Sequence, residues 1–219
     1  MNVLEKIHGG YVHNRRVRVL IRKLSALLPD RGRILDVGCG DGLLASLLQQ
    51  DKPNTSITGI DVMVRPATHI PVELFDGRSI PFADASFDAV IFVDVLHHTD
   101  APMILLREAA RVARKAVVIK DHTKNGIAAD TTLRFMDRIG NRRYNVPLPH
   151  NYWSRQRWLD AFEELNLRMD IWTSDLGLYP FPLDYFFGRS LHFISRLTPR
   201  DHAKAAPAAR PLVRSVPAV

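Results

Sequence analysis

A chain of 219 residues, 46% hydrophobic and 24% charged, has the composition of a globular protein and the length of one sizeable domain, which excludes a fibre, a disordered chain and two full domains. No apolar run approaches the ~18 residues that span a bilayer, and the start of the chain, with Glu5 and no apolar stretch, does not read as a secretory signal, so a cytoplasmic protein is expected. The single cysteine, Cys39, excludes an internal disulfide and a cysteine metal site, while the net charge of +7 leaves nucleic acid, anionic lipid or an acidic substrate open beside a merely soluble surface.

In chain order, "HNRRVRVLIRKLSALLPD" reads as one amphipathic helix ending before Pro29, with Val17, Leu20, Ile21, Leu24 and Leu28 as its apolar side and Arg15, Arg18, Arg22 and Lys23 beside them. Apolar runs rich in Val and Ile then recur with helical stretches between them, the pattern of a parallel sheet wound with helices. The strands are expected at "RILDVG" (33–38), "SITGID" (56–61), "VELFD" (72–76), "AVIFVDV" (89–95) and "KAVVIKD" (115–121). Helices are expected at "GLLASLLQQ" and "PMILLREAARVA", whereas the two prolines of "VMVRPATHIP" break the link between the second and third strands.

After the fifth strand the pattern loosens, and residues 122–153 are too long for an ordinary connection, which marks a functional insertion. Ser154 is placed to cap "RQRWLDAFEELN", whose Trp158, Phe162 and Leu165 share one face. Two further apolar stretches, "LRMDIWTSDL" and "LHFISRLT", flank a second, aromatic-rich insertion at 177–190. The Ala/Pro-rich residues 201–219 are expected to be a disordered tail, leaving one domain over 1–200.

The first strand runs into "GCGDG", where Gly38, Gly40 and Gly42 alternate ahead of a helix. Without a Cβ in the way, backbone N–H groups and the helix start can approach a ligand closely. The dinucleotide fingerprint would place its third glycine at position 43, where this chain has Leu43. Asp36 faces the same pocket and repels a phosphate but suits a ligand amine. Asp61, ending the second strand, is placed for ribose hydroxyls, and Asp76 with Gly77 offers a carboxylate and a backbone N–H to an exocyclic amine. The plainer alternative is a tight turn that needs glycine, with acids that cap helices.

These motifs, "LDVGCGDG", "GIDV" and "LFDGRSIPFADASFDAVIFVDVLHH", resemble in order those of the class I S-adenosylmethionine (SAM) dependent methyltransferases, and most closely the small-molecule branch called type 11, over about residues 30–122. The resemblance implies an α/β, Rossmann-like, mostly parallel seven-stranded sheet with helices on both faces and the last strand antiparallel. It implies SAM as cofactor and S-adenosylhomocysteine as product. By the same resemblance Asp36 sits near the methionine amine, Gly38 and Gly40 lie under the methionine and ribose, and Asp61 meets the ribose hydroxyls. Val62 packs on adenine, Asp76 and Gly77 meet its amino edge, and Asp94 borders the cofactor. The amino-terminal helix would then cover the cofactor, with Tyr11, or alternatively touch a membrane interface.

His97 and His98 stand where an acceptor would approach, and an imidazole is the usual general base; ordering of the loop is the other role open to them. His122 and His150 are further candidates. Asp94, His97 and His98 at i, i+3 and i+4, or Asp94 with Asp121 and His122, have metal-ligand chemistry, yet both depart from the patterns of metal-dependent relatives and no metal is expected. An Asn/Asp-Pro-Pro-aromatic loop, which holds exocyclic base amines, is replaced here by "VDVLHHTD".

The insertions bring Phe135, Met136, Tyr144, Tyr152 and Trp153 from one side and Tyr179, Phe181, Tyr185, Phe186 and Phe187 from the other, a lining for an apolar or aromatic acceptor. Arg134, Arg138, Arg142 and Arg143 add a contact for an acidic group or a membrane surface. O-methylation of a small hydrophobic acceptor is therefore expected, with nucleic acid not expected as a partner and the oligomeric state open. An RNA or protein methyltransferase using the basic surface, and a SAM-binding scaffold without catalysis, are the alternatives.

Overall fold

The computed structural model describes residues 3–126, 128–140, 149–188 and 190–200, of which 3–13 and 140 are described by backbone alone. The expectations for Arg142, Arg143, Tyr144 and the tail 201–219 lie outside the described residues, as does that for the Tyr11 side chain.

Helix α1 (Val3–Ser25) leads into strand β1 (Gly32–Val37), helix α2 (Leu43–Asp51), β2 (Thr55–Asp61) and β3 (Val72–Leu74). Strand β4 (Phe87–Val93), a single 3-10 turn (Leu96–His98), helix α3 (Pro102–Val112) and β5 (Ala113–His122) follow. The first insertion folds as α4 (Ala129–Gly140), and α5 (Arg155–Glu164), β6 (Leu167–Thr173), α6 (Leu183–Phe187) and β7 (His192–Pro199) complete the domain. The proline-broken link between β2 and β3 holds no helix.

The seven strands pair in the order β3-β2-β1-β4-β5-β7-β6. Pairing is parallel from β3 to β5, while β7 runs antiparallel to both β5 and β6. Alternate side chains of each strand enter opposite cores, as the two-residue period requires. Leu35, Val37, Val90 and Phe92 pack with α3 and α5, whereas Ile34, Ile57, Ala89 and Ile91 pack with Leu20 and Leu24 of α1 and Leu48 of α2. With both faces covered, the central strands are apolar throughout, which is why the sequence shows runs and not alternation.

Helix α1 extends further forward than its apolar periodicity suggests and stops at Ser25, where Leu27 N–H turns back to the Leu24 carbonyl at 2.9 Å. Arg15 and Lys23 donate to the carbonyls of Gly177 and Asp175, so the helix is tied to the loop that follows β6. Ser154 caps α5 as its sequence predicts, accepting from Arg157 N–H at 3.2 Å. Strand order reverses between β1 and β4, and the loops leaving those two strands form the place where open α/β sheets bind ligands.

Candidate active site

One wall of the cleft at this reversal is built from backbone. Gly38 closes β1 at φ +74°, and a Cβ there would stand 2.6 Å from Val95 Cγ2, so conformation and space both demand glycine. Gly40, at φ +60°, has nothing within 4 Å of its missing Cβ, which leaves open room against the backbone for a ligand. Asp61 holds this loop: its two oxygens accept from Gly40 N–H at 2.8 Å and Met63 N–H at 2.9 Å. Asp76 accepts from the N–H groups of Ser79 and Arg78, both at 2.7 Å, which hold its carboxyl below the usual range. Val62 and Gly77 stand between these acids, and Phe75 and Leu105 also line the cleft.

Asp36 does not reach the surface of the cleft. It lies buried beneath the glycine loop, where burial and the negative charge of Asp61 push its pKa up to about 7. A ligand ammonium brought close to it would reverse that shift, which is the chemistry expected of a methionine amine.

The other wall is built from charged side chains that converge from distant elements. Asp94 follows β4 at φ 58°, a left-handed conformation that a non-glycine residue adopts at a cost and that recurs at functional sites. Its carboxylate meets Arg16 of α1 at 2.7 Å and the Nζ of Lys120, a lysine wholly buried in β5. Burial opposes ionisation of Asp94, but Lys120 and Arg16 overcome it and hold the carboxyl well below its usual range.

Beneath Asp94, Asp121 at the end of β5 accepts from Leu96 N–H at 2.8 Å, His122 N–H at 2.7 Å and the His97 Nδ1 at 2.6 Å. Asp137 of α4 lies 3.4 Å from the other nitrogen of His97 and accepts from the Tyr152 hydroxyl. Burial alone would lower the His97 pKa, yet these two carboxylates raise it to about 10. Asn151 then braces the turn, its N–H donating to the His97 carbonyl and its side chain to that of Thr99, both at 3.1 Å.

Four imidazoles stand together here, with ring centroids 3.9 Å apart for His97 and His98, 4.5 Å for His97 and His122, and 4.7 Å for His122 and His192. A proton on one disfavours a proton on its neighbours. Burial and the charged His97 lower His98 to about 4 and also lower His122; burial and Lys120 lower His192 further. The cluster thus holds its imidazole charge on His97 and presents neutral rings elsewhere.

Among the described residues, two sets of ligand-type atoms fall within 4.8 Å of one another: Asp94, His122 and His192, and His97, His122 and Asp137. In the first, the Lys120 ammonium lies against Asp94 and 3.3 Å from His192 Nδ1, in the position a dication would take. In the second, the imidazolium of His97 already balances the carboxylate. Neither donor set fits a divalent ion without expelling a resident positive charge.

Of the residues the sequence nominates, Gly38, Gly40, Asp61, Val62, Asp76, Gly77, Asp94 and His98 line one cleft of about 1020 Å³. That volume stands at the upper end of ligand clefts, roughly 300–1,000 Å³, and leaves room beside a cofactor. His97, nominated with His98, is turned away from the cleft with both nitrogens on carboxylates. His150 stands at the outer edge of the cluster, 3.2 Å from the Tyr152 hydroxyl.

None of the nine described residues expected as an acceptor lining reaches the cleft: Tyr152 and Tyr179 are buried near the cluster, Trp153 packs on Trp158, Met136 and Phe187 pack on the core, and Phe135, Phe181, Tyr185 and Phe186 face outward. Arg16, Lys120 and Asp137 are site residues that the sequence does not nominate. Only Lys120 leaves a sequence signal, as a lysine inside the apolar run "AVVIKDH".

A family model described as a methyltransferase domain matches residues 11–170. The chain is 29% identical over 131 residues to 27-O-demethylrifamycin SV methyltransferase of Amycolatopsis mediterranei, covering 50% of this chain and 48% of that one. It is 32% identical over 95 residues to the ubiquinone/menaquinone biosynthesis C-methyltransferase of Desulfotalea psychrophila, covering 39% of each. The matches therefore span about half, or less, of the length of these curated relatives. Among solved structures, the complex of the Haloferax volcanii Trm112 methyltransferase activator with a methyltransferase aligns with a TM-score of 0.63 at 17% identity, over 86% of this chain and 93% of that one. A SAM-dependent methyltransferase from Aquifex aeolicus aligns with a TM-score of 0.55 at 19% identity, over 81% and 87%. At such identities the solved structures speak for the fold alone.

Proposed function

This chain belongs to the class I SAM-dependent methyltransferase family, and from that premise we propose that it methylates a small apolar or aromatic acceptor at oxygen. SAM, when bound, supplies a methyl group on a sulfonium, and its transfer is a displacement in which the protein aligns, desolvates and manages one proton. The glycine loop, Asp61 and Asp76 hold the cofactor, with Asp36 beneath them facing its amine.

The observation that carries the reading is His98. It lines the cleft beside Asp94, and its ring is kept neutral. A neutral imidazole there would accept the proton released by an acceptor hydroxyl as it takes the methyl group that bound SAM would supply. The 27-O-demethylrifamycin SV methyltransferase relative supports transfer to oxygen, while the C-methyltransferase relative makes carbon the competing site.

Labelled methyl transfer from SAM into fractionated cell extract tests this reading. Label is expected in the organic-soluble fraction, and His98→Ala is expected to lower kcat by about a hundredfold with SAM affinity unchanged. Label in RNA or protein, or a His98→Ala enzyme with full kcat, would overturn it.

A further inference from the structure

No described residue of the first insertion lines the cleft, yet the insertion meets the turn that carries His98 at three points. Asp137 of α4 stands 3.4 Å from the His97 ring. The chain then returns through residues 149–153, where the Asn151 N–H donates to the His97 carbonyl and the Asn151 side-chain amide to the Thr99 carbonyl, both at 3.1 Å. This returning segment is itself held on both sides of the contact. His150, just before Asn151, takes a left-handed φ of 53°, which costs a non-glycine residue energy and recurs at functional sites. Tyr152, just after it, is buried with its hydroxyl on Asp137, and the Trp153 carbonyl accepts from Lys124 N–H at 2.9 Å.

The turn needs such support. A single 3-10 turn has poor hydrogen-bond geometry of its own; here His98 N–H reaches the Val95 carbonyl at 2.9 Å and Thr99 N–H that of Leu96 at 3.4 Å. Asp121 of β5 fixes its front half, through Leu96 N–H at 2.8 Å and His97 Nδ1 at 2.6 Å. Asn151 fixes its back half by holding the carbonyls of the residues on either side of His98. The His98 ring rests on that of His97, with centroids 3.9 Å apart, so its place in the cleft follows the place of the turn.

We propose that Asn151 is a positioning residue for methyl transfer, which fixes the His98 ring in the cleft by clamping the carbonyls of His97 and Thr99. The proposal rests on the reading of His98 as the base. A base works only within hydrogen-bond reach of the proton it takes, and a misplacement of about 1 Å costs orders of magnitude in rate. The first insertion thus serves catalysis from behind the turn, without lining the acceptor.

Labelled methyl transfer into the organic-soluble fraction of cell extract, at saturating SAM, tests this in wild type, Asn151→Ala, Asn151→Asp, His98→Ala and the double variant of Asn151→Ala with His98→Ala. Asn151→Ala is expected to slow transfer about tenfold with the Kd for SAM unchanged. Asn151→Asp keeps the volume but loses the amide donor and should be as slow, whereas a side chain that only fills space would be rescued by it. Once His98 is gone the exact place of the turn ceases to matter, so the double variant should be no slower than His98→Ala. Calorimetric SAM binding at the wild-type Kd shows that each variant is folded, and Asn151→Asp carries the test if Asn151→Ala is not. Wild-type transfer by Asn151→Ala, transfer restored by Asn151→Asp, or a double variant about tenfold slower than His98→Ala overturns the proposal and leaves His98 as the base. Full transfer by His98→Ala overturns the base reading itself, and the proposal with it.

Discussion

The two walls of the cleft solve the problem of holding a ligand by different means. The wall formed by the loops after β1, β2 and β3 uses backbone N–H groups held by carboxylates, Asp76 on residues two and three positions on and Asp61 on Met63 and, across the glycine loop, on Gly40. The wall formed after β4 and β5 uses Arg16, Lys120 and His97 against Asp94, Asp121 and Asp137, drawn from α1, β5, α4 and the turn after β4. The first wall can be damaged one contact at a time. The second is a buried ionic unit, in which removal of one member leaves its partners unpaired in a medium that penalises lone charge.

If that contrast is right, the largest effect should come from His97→Leu. Two buried carboxylates would lose their common cation, at a cost of about 3–5 kcal/mol in unfolding free energy by denaturant titration. The pH profile sharpens the test. Because the folded pKa of His97 is raised to about 10, its contribution is fully present below about pH 6.5 and is lost as pH rises through 10. That alkaline loss should be absent in the variant; a wild-type stability that stays flat from pH 6.5 to 10 would contradict a charged His97.

Asp36→Asn should move stability the other way. A carboxyl raised to about 7 binds its proton more tightly in the folded state, so wild-type stability falls as pH rises from about 4 to 7 and stays lowered above. The variant escapes that penalty and should exceed wild type at pH 8 by up to about 4 kcal/mol. Its SAM affinity should drop, because the amine loses its counter-charge, whereas wild-type affinity should climb with pH through 7. Thermal melts and calorimetry across that range would show both, and a destabilised variant would remove Asp36 from the cofactor wall.

The smallest of the three effects is expected from Asp61→Ala, which removes the acceptor of two backbone N–H groups without burying new charge. About 2 kcal/mol, or roughly thirtyfold in Kd for SAM, is the expected loss in binding, with unfolding free energy lowered by about 1–2 kcal/mol. An unfolding midpoint that fell as far as that of His97→Leu would erase the distinction between the walls.

The same distinction explains what could be read before the fold was seen. Gly38 and Gly40 announce a turn through their spacing after an apolar run, and Ser154 announces a helix through its position before one. In each case the interacting atoms lie within a few residues. His97 and His98 are identical in kind and adjacent, and nothing in "VDVLHHTD" tells which ring faces the cleft. That is decided by Asp121, 24 positions further on, and by Asp137 on the insertion. Aromatic composition misleads for a related reason: Phe181 and Tyr179 are two residues apart, yet one is in solvent and the other in the core.

By itself the sequence determined the strands and helices through β5, the glycine loop, the acids beside it and the family, because hydrophobic period, capping and turn geometry act over distances of a helical turn. The tertiary structure alone decided that Arg16 reaches Asp94 from 78 residues away, that a lysine lies wholly buried beneath the cleft, and that one histidine of four keeps the charge. Those outcomes depend on which charges the packed elements bring within a few ångströms in a low dielectric. Strand periodicity specifies the face a side chain takes but not the partner it finds there.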